Sequence, residues 1–448
     1  MLSAENYQVD KRLNLGIIIT LGVSMLCPEY IAPIFLFATF IYFKRLFSKT
    51  NRKALLGTMG KVLFVHMCYM LVSAIWSKTT LMSILVPLMW MGCFLGYVLL
   101  SNALNKEEKI NNAVTAVNIS AGLIGLMAIV EIVTFNLTKY VDWFNYKFPN
   151  PFYWHINDKF FDLLPIDVTN YIFASRASAT FDNPLILATY LVVCIPFCAF
   201  GSVYFHHSRN RKISRVCLLF AIGGTICTSS RASYIAIGLS IVVMLLSSKK
   251  LFKKLFPFLI ALLVTVPIGL YLRFKNTPIG DFLASNTQRF NIWKDCFEMF
   301  TQNPIIGLGA GTENIHTLLR DTYGINRHHA HSVYLEMFVE GGIIGGAFMI
   351  TLIVLIIKNI IKLYKMKEER FRNYASLYAA SFAAFATMSV SEFTLQSAKE
   401  LMTFFFLAGF LEATVRIAEH KEQLAEDELP DESIKQADYA LQAETVAQ

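Results

Sequence analysis

The stretch IGLSIVVMLL (237–246) carries no charge and does not alternate apolar with polar residues. A strand of a membrane β-barrel needs that alternation. Without it, the longer run ASYIAIGLSIVVMLLS (232–247) reads as a helix, because only a helix satisfies its own backbone hydrogen bonds in hydrocarbon.

The rest of the chain repeats this pattern. Of 448 residues, 55% are apolar, and mean hydropathy is +0.48. Soluble domains lie near 45–50% apolar, and here the excess is gathered into blocks. A block of about 20 apolar residues spans a bilayer. Twelve blocks stand near 13–27, 30–43, 61–77, 81–100, 112–135, 184–205, 216–229, 232–247, 256–272, 333–357, 374–390 and 401–415. The prediction is an all-α polytopic integral membrane protein with about twelve transmembrane helices. The first block does not read as a signal peptide: Glu5 and Asp10 flank it, and no small-residue cleavage site follows.

Lys and Arg set the orientation, because cytoplasmic loops collect them. With the N-terminus inside, about 27 of the 40 basic residues fall on the cytoplasmic side. They include the clusters 44–53, 206–212 and 249–254. The net charge of +8 is thus a topology signal and calls for no nucleic-acid partner. Both termini are expected in the cytoplasm. Seven of the eight cysteines lie in or beside the blocks, and no Cys-x-x-Cys spacing occurs, so neither a disulfide framework nor a thiolate metal site is expected.

The membrane domain is expected over 1–415, followed by an acidic, disordered cytoplasmic tail over 416–448. Two loops are long, 136–182 and 273–331, and both fall outside, the second just before the tenth block. Loops beyond about 12–15 residues usually have a function or are disordered. Within the second, Phe290, Trp293, Phe297 and Phe300 share one helical face, as in a helix lying on the membrane surface.

The chemistry concentrates at the mouth of the tenth block, HHAHSVYLEMFVEGGIIGG (328–346). Ser332 is placed to cap that helix. The positive end of a helix disfavours an added cation, which would leave His331 free to accept a proton. Capping or a lipid headgroup would also account for an interfacial histidine. A metal site at His328, His329 and His331 is weighed against the fact that adjacent positions rarely point to one centre. Glu336 and Glu340 lie one turn apart on the same face. A buried carboxylate there costs roughly 2.5–3.5 kcal/mol on insertion scales and needs a polar cavity or partner. The pairs Gly341/Gly345 and Gly342/Gly346 suit close helix packing. Upstream, NPIIGLGAGTENIH (303–316) lacks the spacing of a nucleotide loop and reads as a flexible turn, with Thr312 capping a helix from Glu313.

Arginines on the outer side run against the charge bias, so each needs a reason. Arg176, Arg231 and Arg289 would suit an anionic headgroup, since the guanidinium fork matches phosphate geometry. Snorkelling to phospholipid is the alternative, and it suits Arg231 least because its loop is short.

Taken together, NPIIGLGAGTENI (303–315), HAHSVYLEMFVEGGIIGG (329–346), RASATFDNP (176–184) and SSRAS (229–233) resemble the signature of the O-antigen ligase and O-antigen polymerase superfamily of bacterial membrane glycosyltransferases. The resemblance covers mostly 172–392, with Ser332 where that family commonly has Asn. It implies a GT-C-like fold in the bacterial cytoplasmic membrane with an extracytoplasmic active site. It implies an undecaprenyl-diphosphate-linked oligosaccharide donor, a glycan or lipid acceptor, and inverting transfer without a metal or other cofactor. His331 would be the general base, Arg176, Arg231 and Arg289 would hold the diphosphate, and His329, Glu336 and Glu340 would support them. Two other readings stay open, a lipid-linked oligosaccharide flippase and a non-catalytic scaffold. A transporter would be expected to carry repeated halves and ionisable groups at the midplane.

Overall fold

A computed structural model describes residues 56–139, 176–247, 279–325, 329–392 and 394–427, with isolated positions in 16–44 and 251–260. Side chains are described from 58 to 133, from 289 onward in the helix that starts at 279, and up to 424 in the last helix. Among the described residues there are helices and no strands. They run α1 Thr58–Val72, α2 Thr80–Ala103, α3 Glu107–Lys139, α4 Pro184–Tyr204, α5 Ser208–Thr228, α6 Arg231–Ser247, α7 Ile279–Gln302, α8 Thr312–Tyr323, α9 Val333–Lys365, α10 Glu369–Ser391 and α11 Ala398–Asp427.

Six of these segments are long and apolar enough to cross a membrane, namely Thr58–Ile75, α2, Glu107–Val133, α4, α9 and Ala398–Leu424. A shorter apolar helix, α6, joins them. The expected count of twelve also needs the block at 13–27, where Ile19–Val23 and Ser24–Leu26 are helical, and the blocks at 30–43 and 256–272, which lie mostly outside the described residues. Residues 140–175 of the first long loop lie outside them as well. The last helix continues to Asp427, so the opening turns of the expected tail are helical.

Hydrophobicity alone does not separate the helices; their neighbours do. α4 is apolar all round and almost wholly buried, packed by α3, α5, α6, α10 and α11. α9 is as apolar, yet Ile343, Ile350, Val354 and Ile357 stand exposed. An apolar surface without protein against it is what a lipid-facing helix presents. Asn183 starts α4 by accepting a hydrogen bond from Leu185 N at 2.8 Å, with Pro184 in the first turn.

The close glycine contact between helices is at α3 and α5. A Cβ on Gly125 would lie 2.2 Å from Phe220 O, and one on Gly224 would lie 2.5 Å from Gly125 Cα. Small residues let backbones approach in this way. The glycines of α9, expected to serve that purpose, do something else. The helix breaks at Gly342 (φ 62°, ψ −157°), and 303–309 runs beside the break. Leu308 N donates to Val339 O and Gly309 N to Glu340 O, both at 2.9 Å, while Ile343 N donates to Pro304 O at 2.8 Å. This non-helical turn thus takes up backbone groups that the broken helix leaves unpaired. Gly307 and Gly342 allow it: a Cβ on either would come within 2.5 Å of the opposing backbone.

Candidate active site

The turn before α9 is held from several sides. Trp293 Nε1 donates to Ala330 O at 2.9 Å, and Ala330 N donates to Glu336 Oε2 at 2.6 Å. Between these anchors His331 takes φ 53°, a left-handed conformation rare outside glycine. Such a residue costs of order 1–3 kcal/mol and persists only where its surroundings enforce it. The consequence is that the rings of His329 and His331 turn to the same side, with centroids 4.1 Å apart. His331 N donates to His329 Nδ1 at 3.1 Å. Ser332 occupies the cap position, but its side chain makes no capping bond. In α8 the helix starts at Thr312 with Gly311 at the cap position, so Thr312 does not cap it. His328 lies outside the described residues.

The partner of His331 comes from another element. Glu392, just past α10, places Oε2 3.3 Å from His331 Nδ1 and Oε1 2.9 Å from Arg289 Nη2. An ionised carboxylate only accepts, so the tautomer that satisfies this contact has its proton on Nδ1 and its lone pair on Nε2. Glu392 is buried, while the His331 side chain is 19% exposed, so the imidazole stands at the rim with its orienting group behind it. This is the arrangement of a base held in one tautomer by a carboxylate.

Arg176 is tied to the turn that precedes Arg231. Arg176 Nε donates to Thr228 O at 2.9 Å, and Ala177 N donates to Cys227 O at 3.0 Å. These contacts lay the Arg176 segment along the turn that leads into Arg231. Glu131 of α3 accepts from Ser178 N and Ala179 N at 3.1 and 2.8 Å and fixes the same segment from below. The loop between α10 and α11 ties this segment to the His331 site. At one end of it is Glu392. At the other, buried Lys399 donates to Thr180 O at 2.7 Å and to Met25 O at 3.0 Å, with Nζ 3.8 Å from the Phe181 ring centroid. Ser397 Oγ accepts from Glu400 N at 3.1 Å and starts α11. His331, Arg289, Arg176 and Arg231 therefore stand at one end of the bundle.

The remaining predicted residues lie beneath. Glu336 and Glu340 are buried in α9. Glu336 holds the Ala330 amide, and Glu340 is hydrogen-bonded by the backbone of Gly311. Glu340 also lines a cavity with His66, Tyr69 and Ser73. Neither carboxylate touches His331 through a described contact. α7 buries Ile292, Cys296 and Met299, whereas Phe290 and Phe297 face outward and Phe300 packs on Phe338. The four aromatics expected on one surface face thus divide between surface and core. Burial, followed by the charges of Glu336 and Asp295, pushes the Cys296 thiol up, so it is no nucleophile.

The sequence reading passed over Glu392, Lys399 and Glu131. The rule applied to arginine would have found the first two. A charge in the short outer segment between two apolar blocks needs a partner, whichever its sign.

Residues 216–350 match the family described as O-antigen ligase. The match spans Arg231, Arg289, His331, Glu336 and Glu340, and ends before Glu392. No curated protein matches the chain.

Proposed function

We propose that this chain, whose residues 216–350 match the O-antigen ligase family, is a member of the O-antigen ligase and polymerase superfamily and transfers a glycan from a polyprenyl diphosphate to a sugar hydroxyl at the outer face of the bacterial cytoplasmic membrane. The observation that carries this reading is the pairing of His331 Nδ1 with Glu392 Oε2 at 3.3 Å. Nε2 of His331 takes the proton from the acceptor hydroxyl as its oxygen attacks the anomeric carbon. The carbon–oxygen bond to the diphosphate breaks on the opposite side, and the configuration inverts. Glu392 steadies the imidazolium that forms.

The diphosphate leaves with its negative charge already in place. Fixed cations can meet that charge without a metal. Arg176 and Arg231, held on one turn, take this part. Arg289 has a different one from that suggested by the sequence: it binds Glu392 and sets the carboxylate that orients His331. The charge bias of the loops puts this end of the bundle outside.

The test is incubation of purified protein with a lipid-diphosphate oligosaccharide and EDTA, followed by sizing of the products. A ladder of products identifies a polymerase and a single addition identifies a ligase. The absence of any product would overturn transfer and favour a flippase.

A further inference from the structure

Nothing in the reaction proposed above uses His329, yet the strained turn that exposes His331 also brings His329 beside it. One donor atom each from His329, His331 and Glu392 lie within 4.8 Å of one another. The objection that neighbouring histidines diverge fails here, because φ 53° at His331 folds the two rings onto one side.

We propose that His329, His331 and Glu392 form a binding site for a borderline-soft divalent cation, with zinc the best fit, entered at His331 Nδ1 beside Glu392 Oε2, and that the bound ion inhibits the transferase because a neutral imidazole metallated at Nδ1 keeps its proton on Nε2, the atom that must accept one. The second half rests on the transfer reading; the first does not. Two imidazoles and one carboxylate suit zinc in a three-ligand site with a fourth position open to water. Magnesium and calcium take oxygen ligands and are excluded by the imidazoles. Ligand atoms around tetrahedral zinc stand about 3.3 Å apart, as bond lengths near 2.0–2.1 Å require. The three side chains close to that spacing by small rotations, since His329 and His331 are partly exposed. Arg289 on Glu392 Oε1 supplies the outer-shell contact that orients a ligating carboxylate.

The experiment is a zinc titration of the purified full chain in detergent, after EDTA stripping and removal of the chelator, against a chromophoric zinc chelator. The expected result is one zinc bound per chain, no competition from magnesium, and at least tenfold weaker binding in both His329→Gln and Glu392→Gln. Two variants are used so that one misfolded protein, detected by its gel-filtration profile, leaves the other to decide. No zinc uptake, or an affinity in both variants equal to that of the unsubstituted chain, overturns the site. This readout needs no glycan transfer, so its failure is separate from a failure of the transferase assignment. In the transfer assay, zinc is expected to suppress product formation and EDTA to restore it. If EDTA instead abolishes transfer, the inhibitory role is overturned.

Discussion

At the scale of single residues, the site depends on a proton acceptor whose orientation comes from a distant part of the chain. Glu392 is 61 residues from His331. Glu392→Gln keeps the shape but offers Nδ1 an amide, which can support the wrong tautomer. We expect kcat to fall by about 10²–10⁴, the usual worth of a positioned base, with donor KM little changed. Steady-state kinetics on a defined lipid-linked donor measures both. Arg176→Ala and Arg231→Ala should do the reverse, raising donor KM more than they lower kcat. Unchanged donor affinity would return these arginines to contacts with phospholipid. His331 was legible because a histidine at the mouth of an apolar helix is chemically conspicuous. Glu392 was not, because its partner is set by the packing of α9 and α10 and by no local pattern.

At the scale of elements, the joint pattern of 303–315 and 329–346 has a structural cause. One segment completes the hydrogen bonds of a helix broken by the other. Both motifs were recognisable in the sequence, but the glycines were read as helix–helix contacts. Only the fold reveals that the partner of the α9 glycines is the non-helical turn at 303–309. Gly342→Ala should be costly, because its φ is +62° and the new Cβ would meet Ile305 O at 2.3 Å. A loss of about 1–3 kcal/mol is expected from the strained conformation alone. Gly238→Ala is the control: nothing lies within 4 Å of its Cβ position, and alanine is the better helix former. Thermal unfolding in detergent should show a lower midpoint for the first and no loss for the second. Equal midpoints would contradict the account of the break. The amphipathic pattern of α7 was half legible: its helix was predicted, but Ile292, Cys296 and Met299 form the buried side because α8 and the His331 turn lie against them.

At the scale of the whole molecule, α9 runs 33 residues across its break at Gly342 and separates two chemically distinct ends. The histidines and the site arginines are at its start; Lys358, Lys362 and Lys365 are at its close. The all-helical membrane class was legible from the apolar blocks alone. The expected twelve spans include blocks outside the described residues, and α5 and α10 carry polar residues that dilute their apolar character. Orientation is checked with a membrane-impermeant thiol reagent on whole cells. Arg320→Cys, on exposed α8, should gain labelling over the unsubstituted chain, and Lys367→Cys, past the end of α9, should not. The opposite pattern would put the site in the cytoplasm. The most direct measurement is glycan transfer by purified His331→Ala protein with EDTA present, beside the unsubstituted chain at matched folded amounts. The account predicts product from the latter and none above background from the variant. Equal product from both would contradict it.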